Sequence, residues 1–515
     1  MAMKAAHGLA SMVLIWVALM AAPAMATVVA TQSGRVQGAS ADGVLAYKGL
    51  PYAAPPVGEL RWRAPRAPEP WTGVRRADAY GPACMQTPGA AAREGAGDVG
   101  PLSEDCLSLN LWTPAADAGK RPVLVWIHGG GLVLGAGSQS AYDGAPLARR
   151  GVVVVTLNYR LGALGFFDHP AFDAGQTRGP VNFGLLDQIA ALRWVRDNVA
   201  AFGGDPGNVT VLGESAGGMS VLALFASPQA RGLFHQGIAQ SAPGVPSATR
   251  ERAREVSANI ATAVGLDGAR ATAAQLRALP AQRLFGLQGQ GLSLAPGFVI
   301  GDAALPQTIL SAFEQRRQAR VPLILGNNSD EATVAASFGV DPAKVVQRLG
   351  AARIFVKALY PGVSDPAQQG REAVRDLVFT AFARRIAMLH APVAPTWRYY
   401  FSHVQTDLQP QPPGVAHGGE IVYALGTGEV CGCLPVPMSA ADRAVSTAMS
   451  GYWLAFARNG VPAVAGVPAW PRDTAASPQV LEFAAAPVLR PRFMGARLGT
   501  MIVALKNIGR YLDRK

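Results

Sequence analysis

Charge is scarce in this sequence. Asp, Glu, Lys and Arg make up 16% of the residues, and aromatic side chains only 7%. The 46 Lys and Arg exceed the 34 Asp and Glu, leaving a net charge of +12, a sign that suits nucleic acid or an anionic membrane. No run of Lys and Arg is long enough for a nucleic-acid-binding arm, however. The arginines are scattered among abundant alanine, glycine and proline, so the charge reflects composition and no nucleic-acid partner is expected. Cysteine is rarer still, with four residues. No second cluster of ligands has zinc spacing, so no metal site is expected. No internal repeat and no linker splits off an independent domain. What the chain does have is apolar residues, 50% of the total, enough for a large core and unlike a disordered composition. A length of 515 residues suggests several domains as a raw prior, but large α/β enzymes often exceed that guide in one.

The first 26 residues read as an export signal. Lys4 is followed by an apolar stretch from Leu9 to Ala22, and Ala24-Met25-Ala26 is a small-x-small cleavage site giving a start near Thr27. A retained membrane anchor is the rival reading, and Pro23 and the short apolar core favour cleavage. The expected location is therefore periplasmic or secreted. In that setting Cys84, Cys106, Cys431 and Cys433 are potential disulfide partners. A bridge closing the loop between Cys84 and Cys106 would contribute roughly 3 kcal/mol on the chain-entropy model, whereas a bridge across Gly432 alone is strained and two free thiols are equally compatible. At the other end, residues 491–515 form a basic amphipathic tail. Leu498, Met501, Ile502, Leu505, Ile508 and Leu512 keep helical spacing among Arg497, Lys506, Arg510, Arg514 and Lys515. Such a helix can lie weakly on an anionic membrane, but docking on the protein body is the simpler expectation.

Between these ends, residues 27–490 read as one α/β domain. Short strands with Gly and Pro turns over 31–80 predict an antiparallel edge. Pro122–Ile127, Val152–Leu157 and Val321–Leu325 are continuous apolar runs, as in strands buried on both faces. Leu185 to Val199 has helical spacing, and Val209 begins another strand. Strand and helix alternate here, which predicts a parallel sheet. Residues 245–320 and 341–392 read as mostly helical insertions over the active side of the sheet. Trp397–Phe401 is an aromatic strand and Ala440–Arg458 a long helix.

Two glycine-rich junctions carry chemistry. Val209-Thr210-Val211-Leu212 stops at Gly213-Glu214-Ser215-Ala216-Gly217, the frame of a nucleophile elbow, in which a sharp strand-to-helix turn exposes a serine hydroxyl. A βα loop with an idle serine would look the same in isolation. The strand ending at Ile127 runs into His128-Gly129-Gly130-Gly131, where bare backbone N–H groups can face a developing oxyanion. A serine hydroxyl needs a base, and in this order of elements the acid and then the histidine follow the serine. Of seven histidines, His390, His403 and His417 come late enough. His417 lies on a loop with Gly418 and Gly419, where an imidazole can reach across. Asp330 and Glu331, after the Val321–Leu325 strand, are the candidate acids, and spacing does not separate them.

With these motifs in place the chain resembles a type-B carboxylesterase, of the carboxylesterase/cholinesterase branch of the α/β hydrolases, over about residues 28–485. The resemblance rests on Gly49-Leu50-Pro51-Tyr52-Ala53, Ser103-Glu104-Asp105-Cys106-Leu107-Ser108-Leu109-Asn110, Trp126-Ile127-His128-Gly129-Gly130-Gly131, Asn158-Tyr159-Arg160-Leu161-Gly162, Phe202-Gly203-Gly204-Asp205-Pro206 and Gly213-Glu214-Ser215-Ala216-Gly217-Gly218. It implies an α/β-hydrolase fold and a serine ester hydrolase with Ser215 as nucleophile, His417 as base and Glu331 as acid. It also implies Gly130, Gly131 and Ala216 as oxyanion donors, Leu132 and Glu214 at the substrate pocket, and a Cys84–Cys106 disulfide. No cofactor is implied, and the partner is a small-molecule ester.

The family often has an aromatic residue where this chain has Leu132. In cholinesterases the first disulfide loop supplies a tryptophan for the choline cation, but residues 84–106 contain no aromatic side chain. Neutral or anionic esters are therefore expected. Amides, carbamates or a multi-ester natural product are the alternative substrates. Some relatives are silent binding proteins, but here all three catalytic positions are filled.

Overall fold

Val123-Leu124-Val125-Trp126-Ile127 has no polar side to turn toward water, and it forms a strand at the centre of a 13-stranded sheet. The computed structural model describes residues 24–93, 97–173, 178–245, 247–285, 297–338, 341–348 and 357–512. One edge of the sheet is antiparallel: β1 (Ala24–Thr31), β2 (Gly34–Ala41) and β3 (Val44–Pro51), with the short β4 (Val74–Arg76) beside β2. A separate pair, β5 (Ala83–Cys84) and β6 (Leu102–Ser103), flanks the first cysteine loop. The main sheet continues through β7 (Ser108–Thr113), β8 (Arg121–Ile127), β9 (Val153–Leu157), β10 (Gly204–Glu214), β11 (Gln236–Gln240), β12 (Leu323–Asn328) and β13 (Thr396–Phe401). It closes with β14 (Gln479–Phe483) and β15 (Pro487–Pro491). The order is β1-β2-β3-β7-β9-β8-β10-β11-β12-β13-β14-β15, parallel from β9 to β14. This is the α/β-hydrolase architecture.

Alternation along the strands divides the core between two faces. Val123, Val125 and Ile127 join one cluster with Val153, Val155, Val209 and Val211, while Leu124 and Trp126 join the other with Val154, Leu212, Ile324 and Trp397. The helices Phe183–Asn198 and Ala216–Ala226 cover the first face. Ala440–Asn459 covers the second, burying Met449, Tyr452, Trp453 and Phe456. That helix is fixed at both ends, by a Ser439–Asp442 capping box and by Gly460 at φ 68°.

Several boundaries differ from the sequence expectation. β10 begins at Gly204, ahead of Val209, with a register shift between these two residues. β12 runs on to Asn328 because Gly326, Asn327 and Asn328 pair with Tyr399, Tyr400 and Phe401. In 245–320 helix covers only Arg250–Ala263, Ala273–Arg277 and Ile309–Glu314, apart from short 3₁₀ turns, among the described residues. There Ala248 and Val299 form an isolated β-bridge. Over 341–392 the described helices include Pro342–Arg348, Pro366–Val374 and Ala381–His390, the last two joined by a π-helical turn at Arg375–Thr380.

Residues 1–23 of the expected export signal lie outside the described residues, and Ala24–Ala26 belong to β1. The tail forms the helix Gly495–Leu512. Leu498, Met501 and Ile502 bury against Val346, Tyr360, Ala373 and Ala381, and Arg497 reaches Asp376 at 3.0 Å. The expected side chains at Leu505, Ile508 and Leu512 lie outside the described ones. The sulfurs of Cys84 and Cys106 are 2.02 Å apart and those of Cys431 and Cys433 2.12 Å.

The Asn-Tyr-Arg-Leu-Gly motif has a structural explanation. Arg160 forms a two-pronged ion pair with Asp187, at 2.8 Å (Nε–Oδ2) and 2.7 Å (Nη2–Oδ1), and both side chains are almost fully buried. The Arg160 main-chain N–H also donates to Asp187. Removing one partner strands a buried charge, which typically costs about 3–5 kcal/mol. Asp187→Ala should therefore lower the urea unfolding midpoint sharply, and replacing both residues by Asp187→Leu and Arg160→Met should restore part of the loss. A midpoint unchanged in Asp187→Ala would contradict this reading.

Candidate active site

The C-terminal ends of β8, β10, β11 and β12 meet along one edge of the sheet, and each delivers one part of the site. β10 passes abruptly into the helix Ala216–Ala226, and Ser215 takes the turn at φ 58°, ψ −122°. A side-chain-bearing residue rarely adopts that conformation, so the turn is strained and held by its surroundings. Its main-chain N–H donates to the Gln240 carbonyl at the end of β11, at 2.9 Å. Close packing fixes the rest. A Cβ on Gly217 would stand 2.0 Å from the Ile127 carbonyl, and one on Gly213 2.5 Å from the same atom. The two glycines thus let the elbow approach β8 more closely than any other residue permits.

The loop after β8 turns beside this elbow. A Cβ on Gly129 would lie 3.1 Å from Ser215 Cβ. Gly130 and Gly131 have φ of 90° and 62°, and the Gly130 carbonyl turns away to accept from Val133 and Leu134. Among the described residues no acceptor takes the N–H of Gly130, Gly131 or Ala216. Three backbone donors are therefore uncommitted next to the serine. His128 supports this loop from below. Its ring stacks on Tyr159 at 4.4 Å, whose hydroxyl donates to the His128 carbonyl. Burial presses the His128 pKa down to about 4, so it stays neutral. Leu132 follows at φ 62°, buried, with its carbonyl accepting from Gly162.

The structure separates the two candidate acids. Glu331 Oε2 lies 2.5 Å from His417 Nδ1. Its other oxygen accepts from the Asn328 N–H and the Ser241 hydroxyl, both at 2.6 Å, and the side chain is fully buried. Asp330 instead bridges to Ala416 through the backbone. Burial raises its pKa against the pull of Arg371 and Arg375, and it makes no bond to His417. That bridge is what draws the histidine loop alongside Glu331. The other late histidines point elsewhere. His390 Nε2 bonds the Val321 carbonyl, and His403 Nε2 bonds Asp442.

The second imidazole nitrogen shows a departure from expectation. His417 Nε2 lies 3.1 Å from Glu214 Oε1, and no hydrogen bond joins it to the Ser215 hydroxyl among the described residues. Glu214, expected at the substrate pocket, is 4% exposed and belongs to the imidazole's own surroundings. Glu420 lies behind, accepting from Gln240 and Asn328, and Trp453 donates to Gln240 in turn. Phe379, on the π-helical turn, covers the imidazole face at 5.4 Å. Ser241, Asn328 and Phe379 carried no signal in the sequence. Glu420 directly follows the His417-Gly418-Gly419 loop in the sequence and had no role assigned there.

Three glutamates around one histidine create a coupled cluster. Burial drives Glu214 up to about 8, opposed by His417 and reinforced by Glu420 and Glu331. Burial also disfavours a charged His417, but Glu214 and Glu331 outweigh it and raise its pKa to about 10. Burial, with Glu331, raises Glu420 as well. Glu214 Oε1 and His417 Nε2 lie 3.1 Å apart without a hydrogen bond between them, and their two upward shifts are coupled and belong to the pair. With the proton on Glu214, the imidazole is neutral and Nε2 is free to accept another.

The Carboxylesterase family model matches residues 25–361 and 362–496. A fumonisin B1 esterase of Sphingopyxis macrogoltabida is 36% identical over 473 residues, covering 86% of this chain and 84% of that protein. A para-nitrobenzyl esterase of Bacillus subtilis is 35% identical over 473 residues, covering 87% and 93%. The solved structure of a thermophilic PNB esterase superposes with a TM-score of 0.81 at 33% identity, covering 92% of this chain and 99% of that one.

The electrostatics make a signed prediction. A histidine pKa raised from 6.5 to about 10 means the folded state holds the proton better than the unfolded state. The stabilisation is complete below about pH 6.5 and is lost as pH rises toward 10. In an NMR titration the His417 ring should titrate well above the ordinary histidine range, and Glu214→Gln should lower that midpoint. A midpoint unmoved by Glu214→Gln would contradict the coupling of Glu214 to His417.

Proposed function

The chain belongs to the carboxylesterase family and is a carboxylic-ester hydrolase, and from that premise we propose that it works through Ser215, His417 and Glu331 by an acyl-enzyme route. The observation that carries the reading is the 2.5 Å contact between Glu331 and His417 Nδ1, next to an elbow serine flanked by uncommitted backbone donors. Glu331 holds the imidazole in the tautomer with hydrogen on Nδ1. Nε2 then takes the proton of the Ser215 hydroxyl as that oxygen attacks the ester carbonyl, leaving a tetrahedral oxyanion and an imidazolium. The N–H groups of Gly130, Gly131 and Ala216 receive the oxyanion. Losing one such donor typically lowers the rate by about 10²–10³. The imidazolium returns its proton to the leaving alcohol. Water, deprotonated by the same nitrogen, then releases the acid and restores Ser215. Glu214 has to carry a proton for this cycle to begin, since an ionised Glu214 would hold the imidazole charged and unable to act as base.

The substrates in this reading are small neutral or anionic esters. Residues 84–106 offer no aromatic platform for a quaternary ammonium group, and the net charge of +12, or +11 once the single charge of Lys4 leaves with the leader, does not steer cations toward the protein. The relatives named for fumonisin B1 and for para-nitrobenzyl esters support small-molecule esters. Export is part of the same reading, supported by the apolar leader, and the mature protein is expected to begin near Thr27.

A panel of p-nitrophenyl esters of increasing acyl length tests the proposal. Native protein should turn over short and medium chains, and Ser215→Ala should lose about 10⁴-fold or more in kcat/KM. Matched choline esters should be slower than their neutral counterparts. Activity undiminished in Ser215→Ala would remove the mechanism, and faster choline-ester hydrolysis would remove the substrate class.

A further inference from the structure

The segment carrying His417 continues through the short helix Ile421–Ala424 and then walls a second cleft, which shares no lining residue with the site described above. This cavity, about 220 Å³, lies between the helix Ala145–Ala148, the loop at Gly426–Glu429 and the first half of Ala440–Asn459. Arg149, Arg150 and Arg443 line it, with Glu429 as the one carboxylate among its lining residues.

The positive charge there is poorly compensated. Arg443 meets Glu429 at 3.3 Å, with both side chains about half exposed or more, a geometry that solvent and salt screen. The Arg149 guanidinium, whose main-chain N–H bonds the Ala145 carbonyl, has no hydrogen-bond or ion-pair partner among the described residues. Arg150 donates to the Ser450 hydroxyl at 2.6 Å, a neutral acceptor. Arg458 reaches the Arg150 carbonyl, adding a further guanidinium. Burial and the charge of Arg458 both lower the Arg150 pKa. Arginine keeps its proton in proteins, so this crowding cannot be relieved by deprotonation. A bound anion would relieve it. Guanidinium forks match the paired oxygens of carboxylate and phosphate groups. The hydroxyls of Ser446 and Ser450 already donate inward to main-chain carbonyls, so the arginines dominate recognition. A drug-sized ligand usually needs about 300 Å³ or more, which restricts the occupant to a small molecule.

We propose that this cleft binds a small oxyanion bearing two or three carboxylate or phosphate groups, held by Arg149, Arg150 and Arg443. It is a binding site separate from ester cleavage, and no bond is made or broken in it.

Isothermal titration of the full-length protein with citrate and, separately, with pyrophosphate tests the assignment, at ionic strength matched with sodium chloride. At least one anion should bind saturably and one-to-one, and the two arms distinguish carboxylate from phosphate chemistry. Arg149→Gln and Arg443→Gln should each weaken binding by about tenfold or more. Their p-nitrophenyl ester turnover without the anion should stay at the native level, which also shows that the variants fold. Absence of saturable binding by both anions up to about 10 mM, an equal response to sodium chloride, or undiminished binding in both arginine variants would each overturn the proposal.

Discussion

The contact between Glu331 and His417 is the interaction on which the rest of the site depends. A carboxylate removed from water is costly unless its lone pairs are occupied. Here one oxygen takes the Asn328 N–H and the Ser241 hydroxyl, and the other takes the imidazole. Each partner comes from a different part of the chain, because Ser241 follows β11, Asn328 ends β12, and His417 arrives on the loop that Asp330 and Ala416 stitch into place. The parallel sheet makes this convergence possible. Its strands all deliver their C-terminal ends to one edge, so residues separated by 86 or 90 positions become hydrogen-bonded neighbours.

Burial also limits how much charge the three glutamates can carry around one imidazole. Glu214, Glu331 and Glu420 could not all be ionised around a neutral imidazole in a buried space without severe repulsion. Burial raises Glu214 and Glu420, while Glu331 is matched by two hydrogen-bond donors and by the imidazole. In the proposed mechanism the carboxylate that orients the base is thereby distinct from the carboxyl group that controls its protonation. Glu214 Oε1 lies 3.1 Å from His417 Nε2, and in the proposed mechanism its protonation sets the starting state of that nitrogen.

Much of this was legible in the residues. Buried parallel strands write themselves as unbroken apolar runs, and β8 and β9 fell within a residue of where those runs placed them, as β13 did from its aromatic residues. The elbow and the glycine loop were visible because close backbone approach at Gly129, Gly130, Gly213 and Gly217 and the positive φ of Gly131 favour glycine. What stayed hidden depends on direction in space. Asp330 and Glu331 are adjacent, and only the fold decides which carboxylate turns toward His417. Ser241, Asn328 and Phe379 are ordinary residues whose meaning comes from a partner far along the chain. The extension of β12 to Asn328 was also hidden, since its last residues are polar and owe their strand pairing to β13.

The most direct measurement of the central claim is peptide mapping by mass spectrometry after reaction with a fluorophosphonate, with the labelling rate followed in native protein and in Glu331→Gln. The account predicts a single adduct on Ser215, formed much more slowly once the carboxylate no longer holds the imidazole. Labelling at another residue, or an equal rate in Glu331→Gln, would contradict it.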